Sequence, residues 1–292
     1  PKDYIFYPTD HCGVLRVKTD KILPEYMLYA LKVEGEYERF SRTYRASIQK
    51  IKQLIIQVPP IDTQKEIISE LQKYDEIIER EDSKLKEYDE NIKSKFVEMF
   101  SGKMFKSEKL RNLYDLQIGK TPSRSNNEYW GKDGYKWISI ADMANFDRYT
   151  GLTSELITDL AINETGIKCI PKGTVIMSFK LTIGRTAITA ESIYTNEAIV
   201  AFIDKKEAYI NKDYLRLYLR LYDWSLDKMS AVKGATLNQG SIGDANLQIP
   251  PEDLQNQFAF YVEEIDKLKF EAKERKIKAE QEKESLIEKY FR

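Results

Sequence analysis

One feature limits the possible folds more than any other: part of the chain occurs twice. Gln57-Val58-Pro59-Pro60 returns 191 residues later as Gln248-Ile249-Pro250-Pro251. The same offset then pairs Asp62 with Asp253, Gln64 with Gln255, Asp75 with Asp266, Ser94 with Ser285 and Phe100 with Phe291, without a gap. Upstream, Ile22-Leu23-Pro24-Glu25-Tyr26 resembles Ile210-Asn211-Lys212-Asp213-Tyr214 after a short indel, and Tyr7-Pro8-Thr9-Asp10 can be laid on Tyr194-Thr195-Asn196-Glu197. A fixed period of this kind means that one supersecondary unit is used twice.

A long helical pattern follows each Pro-Pro pair. Proline ends the extended segment before it, and Asp62 or Asp253 stands near the helix start, where a carboxylate is favoured by the backbone dipole. Ile67, Leu71, Tyr74, Ile78, Leu85, Tyr88, Ile92 and Met99 recur mostly at alternating steps of three and four. Phe258, Tyr261, Ile265, Leu268, Ala272, Ala279, Leu286 and Tyr290 do the same in the second copy. A seam this narrow, flanked by Glu and Lys, predicts two helices packed as an antiparallel coiled coil.

Between the helices, residues 103–247 carry short apolar runs bounded by Gly, Pro and Asn. Residues 136–140, 173–178 and 198–202 predict strands, and residues 213–223 predict a helix. The fold class expected is α+β: mixed α/β domains plus the long helical pair. The boundaries follow from the repeat: 1–60 as the end of a first globular domain, 61–102 as the first long helix, 103–250 as a complete second domain and 251–292 as the second long helix. Nothing ahead of Pro1 corresponds to residues 103 to about 193, so the first domain is expected to lack its front.

Charge and chemistry narrow the function. The net charge is −1, but residues 1–61 carry +3, 62–102 carry −5, 103–247 carry +3 and 248–292 carry −2. The two globular parts are therefore mildly basic, which permits a nucleic-acid partner without requiring one. No stretch approaches the roughly 18 uncharged apolar residues of a membrane span. The two cysteines, Cys12 and Cys169, form neither a disulfide framework nor a zinc-ligand set, and core packing in a reducing, cytoplasmic setting is expected for them. Gly119-Lys120-Thr121 ends like a phosphate-binding loop, but the glycine needed five positions earlier is Tyr114. There is no dinucleotide fingerprint after a strand, and Val58 and Ile249 precede the Pro-Pro pairs where DNA aminomethyltransferases carry Asn or Asp. His11 is the only histidine. No catalytic or metal-binding residues are expected.

The succession of Gly119-Lys120-Thr121-Pro122-Ser123, Trp137-Ile138-Ser139-Ile140-Ala141-Asp142, Ile170-Pro171-Lys172-Gly173-Thr174-Val175, Thr182-Ile183-Gly184-Arg185 and Asn196-Glu197-Ala198, closed by Gln-x-Pro-Pro-x-Asp-x-Gln, resembles the specificity subunit of Type I restriction–modification enzymes. The resemblance covers essentially the whole chain and departs from the family only in the missing front of the first target recognition domain. It implies a non-catalytic DNA-recognition subunit in the cytoplasm, reading half-sites of a bipartite target in double-stranded DNA. The two long helices would act as a spacer. Adenine methyltransferase subunits and motor–nuclease restriction subunits would be its partners, with S-adenosylmethionine bound by the methyltransferase and no cofactor in this chain.

Loops on a rigid scaffold are where DNA contacts are expected. Lys120, Thr121, Ser123 and Arg124 form a polar, Pro-containing loop. Lys180, Thr182 and Arg185 surround Gly184 between two expected strands. Lys233, Thr236, Asn238 and Gln239 form a polar loop before the second Pro-Pro pair, and Asn and Gln are able to pair adenine through two hydrogen bonds. All of these residue types also suit any solvated loop. Trp130 and Trp137, beside strands, are expected in the core rather than stacked on bases. Two rival readings remain. One is a specificity module of a related methyltransferase or fused restriction enzyme. The other is a coiled-coil scaffold that binds proteins and no DNA.

Overall fold

A computed structural model describes residues 7, 12–41, 44–224 and 237–291. In chain order its elements are α1 (Pro24–Tyr37), α2 (Ile48–Ile51), α3 (Ile61–Phe100), β1 (Lys106–Lys109), α4 (Leu110–Leu113), β2 (Tyr114–Ile118), β3 (Trp130–Gly131), β4 (Tyr135–Ile138) and β5 (Glu155–Ile157). They continue with α5 (Asp159–Thr165), β6 (Val175–Ser178), β7 (Thr186–Ile188), β8 (Tyr194–Thr195), β9 (Ile199–Asp204), α6 (Lys212–Leu221), α7 (Gln239–Asp244), β10 (Asn246–Ile249) and α8 (Glu252–Phe291). The class is α+β.

The chain divides into two compact units, Pro1–Tyr88 with Lys267–Arg292 and Asp89–Asp266. The sequence reading treats each long helix as a segment of its own. The units instead cut through both helices, because each unit packs the start of one against the end of the other.

In the second unit, β2-β9-β6-β7 form one four-stranded sheet and β3-β5-β4-β8 another, while β1 pairs antiparallel with β10. All pairings in the first sheet are antiparallel; in the second, β4 and β8 run parallel. Strands β6, β7 and most of β9 are buried throughout, so they are mostly apolar rather than alternating, with Ser178 and Thr186 as buried polar exceptions. Ile138, Met143, Ile170, Ile176, Ala187, Ile193, Ile199 and Ala201 make the central core, and Trp137, Ile157, Ala161, Ile167 and Tyr194 make a second cluster. Burying these side chains supplies the driving force for the fold. Side-chain caps set the short helices: Thr158 accepts from Ala161 N–H at the start of α5, which ends at Gly166 with φ 64°. Cys12 and Cys169, expected in the core, are both exposed. Cys169 lies on the outward side of the segment whose next residue, Ile170, is fully buried.

Compared with each other, the two units give the sequence repeat its physical meaning. In the first unit Gln64 is fully buried; it accepts from Leu23 N–H (2.8 Å) and donates to the carbonyls of Pro59 (2.7 Å) and Lys21 (2.8 Å). In the second, Gln255 is fully buried, accepts from Asn211 N–H (2.8 Å) and donates to Pro250 O (2.8 Å) and Tyr209 O (3.4 Å). Tyr26 donates its hydroxyl to Gln57 O, and Tyr214 donates to Gln248 O. Phe291 stacks on Tyr26 at 5.3 Å, and Phe100 meets Tyr214 at 4.7 Å. The repeated Gln, Tyr and Phe thus do the same work in both units.

Within the first unit α3 and α8 run antiparallel, joined by Asp75 with Lys283, Glu81 with Arg275 (3.0 Å), Asp82 with Lys276 (2.7 Å) and Glu70 with Tyr290 (2.7 Å). Of the positions expected in the seams, Ile67, Leu71, Ile92, Phe258, Ile265 and Ala272 are buried, and Tyr74, Ile78, Leu85, Tyr88, Tyr261 and Leu286 are half-buried. Leu268 is a correction: it is 40% exposed, whereas its neighbour Lys269 is 4% exposed. The buried row of α8 runs Phe258, Val262, Ile265, Lys269, Ala272 and Ala279. Steps of three and four from Phe258 along this row land on lysine where the sequence offers leucine one place earlier.

Candidate nucleic-acid interface

The loop after β2 is held from several sides. Gly119 N–H donates to Ile199 O (3.2 Å) and Lys120 N–H to Thr195 O (2.8 Å). A Cβ on residue 119 would lie 2.1 Å from Thr195 O, so only glycine permits this approach. The Lys120 ammonium donates to Thr165 O (2.6 Å) at the C-terminal end of α5, where unpaired carbonyls favour a cation. Arg124 lies over Trp130, 3.9 Å from the ring centroid, and bonds Glu155 through both terminal nitrogens, one of them at 2.9 Å. Trp130 and Trp137 meet edge-on at 5.0 Å, and Trp137 is 1% exposed, so both belong to the scaffold beneath the loop. Ser123 and Ser125 share a hydroxyl bond of 2.8 Å.

The second loop connects β6 to β7. Phe179 N–H donates to Ala198 O (2.9 Å), Gly184 N–H to Ser178 O (2.9 Å) and Arg185 N–H to the Ser178 hydroxyl (3.2 Å). That hydroxyl in turn donates to Thr182 O. Thr182 N–H closes a three-residue turn onto Lys180 O (2.7 Å), with Leu181 at its centre at φ 63°. Lys180 and Thr182 are exposed and Arg185 is half-buried.

Glu197 bonds the first loop, and its neighbour Ala198 accepts from Phe179 N–H at the base of the second. Glu197 accepts from the Thr121 hydroxyl, and that bond, with the nearby charges of Lys180 and Arg124, holds its carboxyl below the usual carboxylate range against the opposing effect of burial. The structure therefore sets Thr121 on the Glu197 carboxylate, with the charges of Lys180 and Arg124 near enough to lower it. Lys120 lies on the same loop but turns toward α5.

The third group fares differently. Lys233 and Thr236 lie outside the described residues. Asn238 caps α7 by accepting from Ser241 N–H while Ser241 accepts from Asn238 N–H, and Gln239 donates to Leu116 O on β2 (2.6 Å). Both amides are engaged in holding the fold. The sequence reading missed Glu155, Leu181 and Arg148. Arg148 bonds Asp213 (2.6 and 2.8 Å) and Asp266 (2.8 Å), tying the segment before β5 to α6 and to the first part of α8. No local pattern flags Glu155 or Arg148, since their partners Arg124, Asp213 and Asp266 lie far away in sequence. Glu197 stood in a motif noted above without a role. Among the described residues, no group of three or more His, Cys, Asp or Glu could hold a metal ion, and no helix is long and apolar enough to cross a membrane.

Comparison with known proteins places this geometry in a context. A family model described as Type I restriction modification DNA specificity domain matches residues 1–87 and again 103–282. Over 98 residues the chain is 33% identical to the Type I restriction enzyme MjaIX specificity subunit of Methanocaldococcus jannaschii, covering 33% of this chain and 22% of that protein. Over 140 residues it is 29% identical to the HindI specificity subunit of Haemophilus influenzae, covering 48% of this chain and 30% of that protein. The matched stretches thus span less than a third of these relatives. Among solved structures, the Type I restriction–modification S subunit from M. genitalium superposes with a TM-score of 0.58 at 14% identity, covering 93% of this chain and 73% of that one. A chain from a study of complex assembly and conformational transition in the type I R-M system gives 0.56 at 15% identity, covering 92% and 71%. At these identities the superpositions speak for the fold alone.

Proposed function

The chain belongs to the family of Type I restriction–modification DNA specificity domains, and from that premise we propose that it is the sequence-reading, non-catalytic part of a DNA methyltransferase and endonuclease complex. Residues 103–250 read one half of a bipartite duplex target, and residues 1–60 contribute to reading the other. Lys120, Arg124, Lys180 and Arg185 meet phosphate or guanine, and Thr121, Ser123 and Thr182 supply adaptable hydrogen bonds. Phosphate contacts set register while base-edge contacts carry sequence. The long helices hold the readers at a set spacing, which half-sites on one face of a duplex require. Adenine methyltransferase subunits bring S-adenosylmethionine and the transfer chemistry, motor–nuclease subunits bring cleavage, and the complex works in the cytoplasm on cellular DNA.

The observation that carries this reading is that two cationic, hydroxyl-bearing loops are both anchored to the segment 196–198, through Thr121 with Glu197 and Phe179 with Ala198. Preorganised loops of this kind lose little entropy on docking. The test is selection from a random duplex pool with the full chain and its methyltransferase partner. Enrichment of a split motif supports the reading. Equal recovery of every sequence would point instead to a scaffold that binds only proteins.

A further inference from the structure

Resting on the DNA-reading role, we propose that Leu181 is a specificity-determining residue that reads the C5-methyl group of a thymine in the major groove. Three described non-glycine residues have positive φ: Arg39, Leu181 and Lys206. Leu181 alone of these is apolar, and it is 93% exposed. A left-handed leucine is sterically unfavourable, and its side chain in water forgoes burial. The fold therefore bears two local costs at one residue, and strain of this sort gathers where a chain meets a ligand.

The loop holds the backbone on either side of Leu181 firmly. Ser178 binds both Arg185 N–H and Thr182 O, Thr182 N–H closes on Lys180 O, and the Thr186 hydroxyl donates to Arg216 O (3.1 Å) beneath. Lys180 and Thr182 flank the tip, Arg185 follows, and the loop that carries Arg124 bonds Glu197 through Thr121. A single apolar group flanked by a lysine and a threonine is too small for a protein interface, which buries about 800 Å² per partner. It suits a base edge between two phosphate rows. A β-hairpin fits the major groove, and there the thymine methyl is the apolar landmark that distinguishes T from C.

The test compares wild-type protein with Leu181→Asn and Leu181→Met, each assembled with the methyltransferase. Asn accepts positive φ, so the loop is retained, and unchanged thermal midpoints verify that. Random duplex selection first yields the wild-type motif; each thymine in it is then replaced by deoxyuridine, which removes only the methyl. The wild type is expected to lose about four-fold in affinity at one thymine, the worth of one buried methyl group. Leu181→Asn is expected to bind the two duplexes equally and to relax base preference at that position, and Leu181→Met to restore the discrimination. Loss of the same affinity in wild type and Leu181→Asn, or at no thymine in either, overturns this inference and leaves the DNA-reading role standing. Failure of the wild type to enrich any motif overturns both.

Discussion

Gln64 and Gln255 show how little of a residue's role is written beside it. Both are visible in the sequence as repeat markers after the Pro-Pro pairs, yet their hydrogen bonds go to the backbone of Lys21, Leu23, Tyr209 and Asn211, more than forty residues upstream. Each fully buried amide satisfies backbone groups that have no water to turn to. Replacing Gln255 with leucine keeps the volume and strands Asn211 N–H and Pro250 O. Unfolding in denaturant is expected to show a loss of about 2–6 kcal/mol, from two unpaired buried groups at roughly 1–3 kcal/mol each. The candidate DNA contacts were legible by composition, since Lys, Arg and Thr cluster in loops between apolar runs. Their engagement was not. Arg124 stacks on Trp130 and bonds Glu155, and Asn238 caps a helix, because those partners arrive only when the sheets have formed.

At the scale of elements, the Pro-Pro pairs marked the starts of α3 and α8 to within a residue or two, as proline is tolerated at a helix entry and nowhere inside. The strands expected near 136–140, 173–178 and 198–202 are β4, β6 and β9 with shorter or shifted ends. The helix seams were only half legible. Lys269 occupies a buried position that leucine would mark, and Glu81, fully buried on α3, sits among Lys84, Arg80 and Arg275. Burial alone would raise the Glu81 carboxyl, but hydrogen bonds from Lys84, Arg275 and Arg80 hold it below its ordinary value of 4.5. A carboxyl lowered in the folded state adds stability that is fully present above 4.5 and is lost as pH falls through the lowered value. Glu81→Gln is therefore expected to unfold at lower denaturant than wild type at pH 7, with the gap closing in acid well below that value. A gap unchanged by acid would assign the difference to packing and not to charge.

For the molecule as a whole, the repeat was the most legible property, and it carried the fold class, the family and the assignment of work to two parts. What it could not carry is the way the chain partitions. Each compact unit takes the beginning of one long helix and the end of the other, an outcome of antiparallel pairing that no local pattern encodes. The proposal built on this repeat is that residues 103–250 read one half-site. It is tested most directly by sequencing the methylome of a host carrying the intact system, before and after Lys120, Arg124, Lys180 and Arg185 are together replaced by alanine. The account predicts a split methylated motif in the parent, and in the variant degraded or lost preference confined to one half with the other half kept. An identical motif in both strains would contradict it.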